Sequence, residues 1–88
     1  MFRIFETDQF IKDINKIKGN KQEKLYLKIK NYVYPQLKDN PYYGLNIKKL
    51  RSWLPDTWRY RIGNYRIFYE INDNIVSIIA IETRGNAY

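Results

Sequence analysis

The sequence predicts an α+β fold in which an N-terminal strand and a helical hairpin pack on one face of a small, mostly antiparallel β-sheet. Apolar residues recur at helical spacing between positions 10 and 37 and alternate with a period of two beyond position 57. The two regimes are joined by a turn-rich stretch, Asp39-Asn-Pro-Tyr-Tyr-Gly44.

Residues 2–6 alternate as a short strand. Thr7 is suited to cap a helix, with Asp8 favourable at its positive end. Phe10, Ile14 and Ile17 recur at helical spacing with Ile11 beside them, Lys12, Asp13, Lys16 and Lys18 face elsewhere, and Gly19 ends the helix. Asn20 opens a second helix, and Asn20-Lys-Gln-Glu23 resembles a capping box. Its apolar stripe is Leu25, Ile29, Tyr32, Val33 and Leu37. Lys21, Lys24 and Lys28 lie opposite and read as a solvated face. Pro35 should kink or end this helix. From Ile47 a short strand candidate, Lys48-Lys-Leu-Arg51, runs until Pro55-Asp56 breaks it. Strands are expected at 57–62, 65–71 and 75–84, joined by a Gly-first two-residue turn at Gly63-Asn64 and by Asn72-Asp-Asn74. With no linker or repeat, residues 1–88 are expected to form one domain.

Composition narrows the chemistry. The 88 residues carry 16 Lys plus Arg against 9 Asp plus Glu, a formal charge of +7, with no Cys and no His. That excludes disulfides, cysteine or histidine-dependent triads and histidine bases, and leaves only carboxylates to hold a metal, so neither metal nor cofactor is expected. Aromatic residues at 17% and apolar residues at 44% supply a core. The positive excess points to an anionic partner. No apolar run approaches the roughly 20 residues of a membrane span. The start, Met1-Phe-Arg-Ile-Phe-Glu-Thr-Asp8, carries acid where a signal peptide needs an apolar core, so a soluble cytoplasmic protein without membrane contact is expected.

A two-residue turn at Gly63-Asn64 sets Arg61 opposite Arg66 and Arg59 opposite Phe68. Strand parity then assigns Trp58, Tyr60, Ile62, Tyr65, Ile67, Tyr69 and Ile71 to the helix-covered face, and Thr57, Arg59, Arg61, Arg66, Phe68 and Glu70 to the other. If Ile71 pairs with Ile75, then Val76, Ile78, Ala80, Glu82 and Arg84 join that second face. Four arginines share one surface with Glu70 and Glu82 to offset them. Directly opposed like charges cost sheet stability, whereas guanidinium forks grip phosphate oxygens bidentately. With Phe68 and tyrosines nearby for stacking, RNA or single-stranded nucleic acid is the favoured ligand. Lys48, Lys49 and Arg51 are candidate RNA contacts or edge-strand charges. Trp53 is compatible with loop packing and with stacking.

The run Ile47-Lys-Lys-Leu-Arg-Ser-Trp-Leu-Pro-Asp-Thr-Trp-Arg-Tyr-Arg-Ile-Gly-Asn-Tyr-Arg-Ile-Phe-Tyr-Glu-Ile71, followed by Ile81-Glu-Thr-Arg-Gly-Asn-Ala-Tyr88, resembles the RelE/ParE superfamily of type II toxin–antitoxin toxins. The shared pattern is a K-L-x-G-like strand, a W/Y-R-x-R-x-G-x-Y-R-x-x-Y hairpin and a closing R-x-x-x-Y. The resemblance implies a RelE-like toxin fold and the activity of that branch, a ribosome-dependent, metal-independent mRNA endonuclease. In that chemistry the ribose 2′-OH attacks the adjacent phosphate, leaving a 2′,3′-cyclic phosphate and a 5′-OH end. It also implies partners: the ribosome, mRNA and a cognate, acidic antitoxin.

Carried over by position, Arg59 and Arg61 match two basic strand residues, Arg66 the phosphate-holding hairpin arginine, Arg84 the basic residue before the terminal segment, and Tyr88 the closing tyrosine that orients substrate. Where some members have lysine this chain has arginine, a poor proton acceptor. The general base stays open between Tyr88, Glu82 and a nearby Lys. Tyr88 is the last residue, where several relatives continue. The alternatives are a non-enzymatic toxin like the ParE branch, acting on DNA gyrase, and a degenerate toxin fold retained as an antitoxin-binding module.

Overall fold

Thr7 turns the chain from strand into helix. Its hydroxyl accepts from the Phe10 N–H at 3.3 Å and donates to the Ile78 and Ile79 carbonyls at 2.7 and 3.1 Å, so one side chain caps a helix and ties it to the last strand. The structure is a computed structural model and describes residues 1–83. The strands are β1 (Arg3–Glu6), β2 (Ile47–Lys49), β3 (Trp58–Ile62), β4 (Tyr65–Asn72) and β5 (Ile75–Thr83). The helices are α1 (Asp8–Asn15), α2 (Asn20–Lys28) and α3 (Tyr34–Asp39), with a π-helical turn at Ile29–Val33 between the last two. The sheet order is β1-β5-β4-β3-β2, β1 parallel to β5 and the other neighbours antiparallel. The α+β expectation is met.

Phe10 and Ile14 from α1, then Leu25, Ile29, Val33, Tyr34 and Leu37 from the second helical run, pack against Trp58, Tyr60, Ile62, Ile67, Tyr69, Val76, Ile78 and Ile81 of the sheet. Full burial of aromatic and branched side chains is worth about 1.5–3 kcal/mol each, and this helix–sheet contact is where the fold is held. Buried hydroxyls are satisfied: Tyr69 donates to the Pro41 carbonyl at 2.7 Å and Tyr60 to Gln36 Oε1 at 2.9 Å. Tyr26 and Tyr34 both donate to the Glu6 carboxylate, at 3.0 and 2.7 Å. Burial, then the Glu6 hydrogen bond and charge, push the Tyr34 hydroxyl well above its ordinary pKa.

Three expectations are corrected and one is narrowed. Asn20 does not open a capping box: Gly19 occupies the N-cap at φ 71°, a left-handed value suited to glycine, and makes no side-chain cap bond. Gln22 instead reaches back to the Ile14 carbonyl at 3.0 Å. Of the two outcomes expected at Pro35, ending the helix is not the one seen: the α-helical pattern is interrupted before it and then resumes. The missing N–H of Pro35 is absorbed by the π turn, in which the Tyr34 N–H bonds the Ile29 carbonyl five residues back, and the helix runs on to Asp39. Tyr32 is therefore exposed and Tyr34 takes the buried place. Finally, Val76 and Ile78 lie on the core face. The last turn has two residues, not three, with Asp73 at φ 56°, so Ile71 pairs with Val76. A bulge at Ile79, between the pairs Tyr69–Ile78 and Phe68–Ala80, then restores the expected parity, and Ala80 and Glu82 face outward as read from the sequence.

Candidate functional site

The Gly63-Asn64 turn forms as expected, with Gly63 at φ 56° and open space where a Cβ would stand. It sets the pairs Arg59–Phe68 and Arg61–Arg66 across β3 and β4. On the other side of β4, Glu82 stands directly opposite Arg66 and Ala80 opposite Phe68. Lys48 pairs with Arg59 from the edge strand and so shares their face. The face that the helices leave uncovered thus carries Lys48, Arg59, Arg61 and Arg66, with Glu70 and Glu82 as its acids.

Arg66 is held on two sides. Its Nη2 donates to Glu82 Oε1 at 2.7 Å, and its guanidinium carbon lies 5.8 Å from the Phe68 ring centre. Its Nε is buried with no partner among the described residues. An unsatisfied charged donor of this kind is expensive to keep. The side chains of Arg66 and Glu82 are 35% and 55% exposed, so the pair faces solvent and adds little stability.

The excursion between β2 and β3 builds a wall beside this pair. Arg51 and Ser52 turn the chain, Ser52 at φ 63°, and bring Trp53 back over the sheet. The Trp53 ring stacks on Phe68 with centroids 5.7 Å apart and planes 14° from parallel. Phe68 is left 9% exposed and Trp53 50% exposed. A cavity of about 630 Å³ opens here, lined by Trp53, Leu54, Arg66, Phe68, Glu70 and Glu82 among others. That is room for a nucleotide-sized group.

Of the residues singled out from the sequence, Arg59, Arg61, Arg66, Lys48 and Phe68 come together on this face. Phe68 lies beneath Trp53, so the aromatic surface offered to a ligand is that of Trp53, which the sequence left undecided. Lys49 goes elsewhere: it pairs with Trp58, its Nζ 5.5 Å from that ring centre and 3.3 Å from Asp56 Oδ2. Arg51 is exposed in the turn. Arg84 and Tyr88 lie outside the described residues. The signal that could have found Trp53 is a lone aromatic between two breakers, Ser52 and Pro55, in a loop joining paired strands.

Among the described residues no group of three or more Asp or Glu converges to hold a metal ion, and no helix is long and apolar enough to cross a membrane.

Comparison with known proteins agrees with this architecture. Residues 4–88 match the family model of the ParE toxin of type II toxin–antitoxin systems. None of the curated protein sequences matches. Among solved structures, the chain is similar to the RelBE2 toxin–antitoxin complex of Mycobacterium tuberculosis, with 24% identity over 94% of this chain and 98% of that one and a TM-score of 0.72. It is similar to the RelB–RelE antitoxin–toxin complex of Methanococcus jannaschii at 25% identity, covering 96% and 94%, with a TM-score of 0.67. It is also similar to YafQ of E. coli at 20% identity, covering 100% and 99%, with a TM-score of 0.70.

Proposed function

Because the chain belongs to the ParE toxin family of type II toxin–antitoxin systems, within the RelE/ParE superfamily, we propose that it arrests translation by cutting mRNA on the ribosome. The observation that carries this reading is the open sheet face: Arg59, Arg61 and Arg66 held by strand register beside a nucleotide-sized cavity. An RNA phosphate would seat on the solvent-facing part of the Arg66 guanidinium that Glu82 leaves open, and Arg61 lies directly across the strand pair to take a second oxygen.

In this mechanism the ribose 2′-oxygen attacks phosphorus, the P–O5′ bond breaks, and the products are a 2′,3′-cyclic phosphate and a 5′-hydroxyl. Charge grows on the phosphorane oxygens, and fixed guanidinium groups stabilise it. Arginine cannot take the 2′-OH proton. Glu82 is the carboxylate bonded to Arg66, half-exposed and facing the cavity, and acts as the proton acceptor. The leaving 5′-oxygen takes its proton from water. Ribosomal alignment of the mRNA supplies the remaining orientation. Residues 1–88 act as one domain in the cytoplasm, and Arg84 and Tyr88 complete the site. A cognate antitoxin with an acidic segment covers the arginine face and neutralises it, as the antitoxin-bound neighbours support.

Induced expression should arrest growth and generate cyclic-phosphate ends in mRNA on translating ribosomes, and Arg66→Ala should relieve both. Arrest that survives Arg66→Ala combined with Arg84→Ala overturns the nuclease reading. A second reading, a non-enzymatic toxin acting on DNA gyrase, is favoured by one observation: Glu82 neutralises the central arginine. Its signature is gyrase–DNA cleavage complexes without mRNA cuts.

A further inference from the structure

We infer, resting on the RNA reading above, that Trp53 and Glu70 form a base-binding subsite for guanine next to the phosphate position at Arg66. Arg66, Phe68 and Glu70 are alternate residues of β4 and point to the same face, about 7 Å apart along the strand. Phosphate and base edge therefore meet Arg66 and Glu70 of one strand, on either side of Phe68, which carries the Trp53 ring. Trp53 supplies the platform: one ring face is spent on Phe68, and half of its surface remains exposed beside the cavity. An indole already stacked from below is held flat, so a base can lie on it without first ordering the side chain.

Glu70 decides which base. It lines the same cavity and is half-buried, with no hydrogen bond or ion pair among the described residues, whereas Glu82 is engaged by Arg66. A carboxylate is an acceptor-only group. Guanine alone carries two adjacent donors on its Watson–Crick edge, N1–H and the 2-amino group, that one carboxylate takes together. Adenine and cytosine offer one amino group beside an acceptor nitrogen that a carboxylate repels. Uracil offers a single N–H between two carbonyls.

The test uses the full chain and single-stranded hexaribonucleotides, uridine throughout except for one central G or A, with the anisotropy of a 5′ fluorophore on the RNA as the readout for every variant and Trp53 emission, over the buried Trp58, as a second readout where Trp53 is present. The G hexamer should quench the emission and bind about tenfold more tightly than the A hexamer, the scale of a good edge contact. Trp53→Leu should weaken both about tenfold, one stacked base, and Trp53→Tyr should restore most of that loss. Glu70→Gln should remove the preference for G while leaving affinity for the A hexamer in place. Equal affinities for the two hexamers, a G preference that survives Glu70→Gln, or unchanged binding by Trp53→Leu overturns the subsite. If the hexamers bind and Arg66→Ala abolishes that binding, but Trp53 and Glu70 are without effect, the subsite falls and the RNA reading stands. If neither hexamer binds and mRNA is not cut, the RNA reading falls with it.

Discussion

Replacing Glu82 by Gln should strengthen RNA binding and weaken RNA cleavage, a divergence that follows from where Glu82 stands. Its carboxylate holds Arg66 Nη2 at 2.7 Å across the β4–β5 pair. A phosphate gripped by the same guanidinium would lie about 6 Å from that carboxylate, two hydrogen-bond lengths through the fork. Like charges at about 6 Å repel by about 0.7 kcal/mol in water and about 3 kcal/mol at an effective dielectric near 20. With the Glu82 side chain 55% exposed, the lower end applies, about 1 kcal/mol, or about fivefold in affinity. The stability lost with the ion pair should stay under about 1 kcal/mol, because such exposed pairs contribute no more.

Cleavage should move the other way. Gln keeps the shape and a hydrogen-bond acceptor but cannot take a proton, and loss of a general base costs about 10²–10⁴ in rate. Binding is measured by anisotropy on a hexaribonucleotide with a 2′-deoxy residue at the scissile position, and cleavage by single-turnover assay on programmed ribosomes. Unchanged or weaker binding by Glu82→Gln would refute the phosphate position at Arg66. Cleavage at the wild-type rate would refute Glu82 as the proton acceptor while leaving the arginine face intact.

Two further outcomes test the frame around the site. Tyr69→Phe removes the donor that satisfies the buried Pro41 carbonyl, and should cost about 1–2 kcal/mol, a fall in Tm of about 4–8 °C per kcal/mol, read by thermal unfolding. Stability should also fall in alkali. The folded chain keeps the Tyr34 proton, whose pKa is raised by burial and by Glu6, while the unfolded chain loses it near the ordinary value of 10.0. The contribution is therefore complete below about pH 10 and lost progressively above it. Tyr34→Phe should lower the urea midpoint at neutral pH and flatten its decline above pH 10; an unaltered decline would assign alkaline sensitivity to another group.

The sequence made the sheet face legible because strand parity is a strict period of two and Gly63-Asn64 pins its phase. Every pair read across that turn, Arg61 with Arg66 and Arg59 with Phe68 included, is the pair observed. The second hairpin was harder for a physical reason. Asp73 accepts the left-handed conformation, which shortens the turn by a residue, and the Ile79 bulge adds one back. Neither has a strong local signature, and they cancel, so the expected parity holds at Glu82 and fails at Val76 and Ile78. At Gly19 backbone geometry overrides a side-chain motif, and at Pro35 a π turn accommodates the missing N–H. Trp53 stayed undecided because its position depends on a tertiary contact with Phe68, which no periodicity encodes.

In the proposed function the Arg66–Glu82 pair bears on the charge balance of the sheet and on ligand binding at once. Arg61 opposite Arg66 is a like-charge contact that a sheet pays for. Glu82, opposite Arg66 on the far side, offsets that repulsion in the unliganded chain. The same contact occupies the group best suited to hold a phosphate, so a ligand must share the guanidinium with Glu82. A polyanionic partner can do so through its several phosphates, engaging Arg59 and Arg61 as well, whereas a single free phosphate gains little. On the proposed reading the arrangement favours an extended nucleic-acid strand over small anions, with one carboxylate offsetting the charge of the face while it is empty.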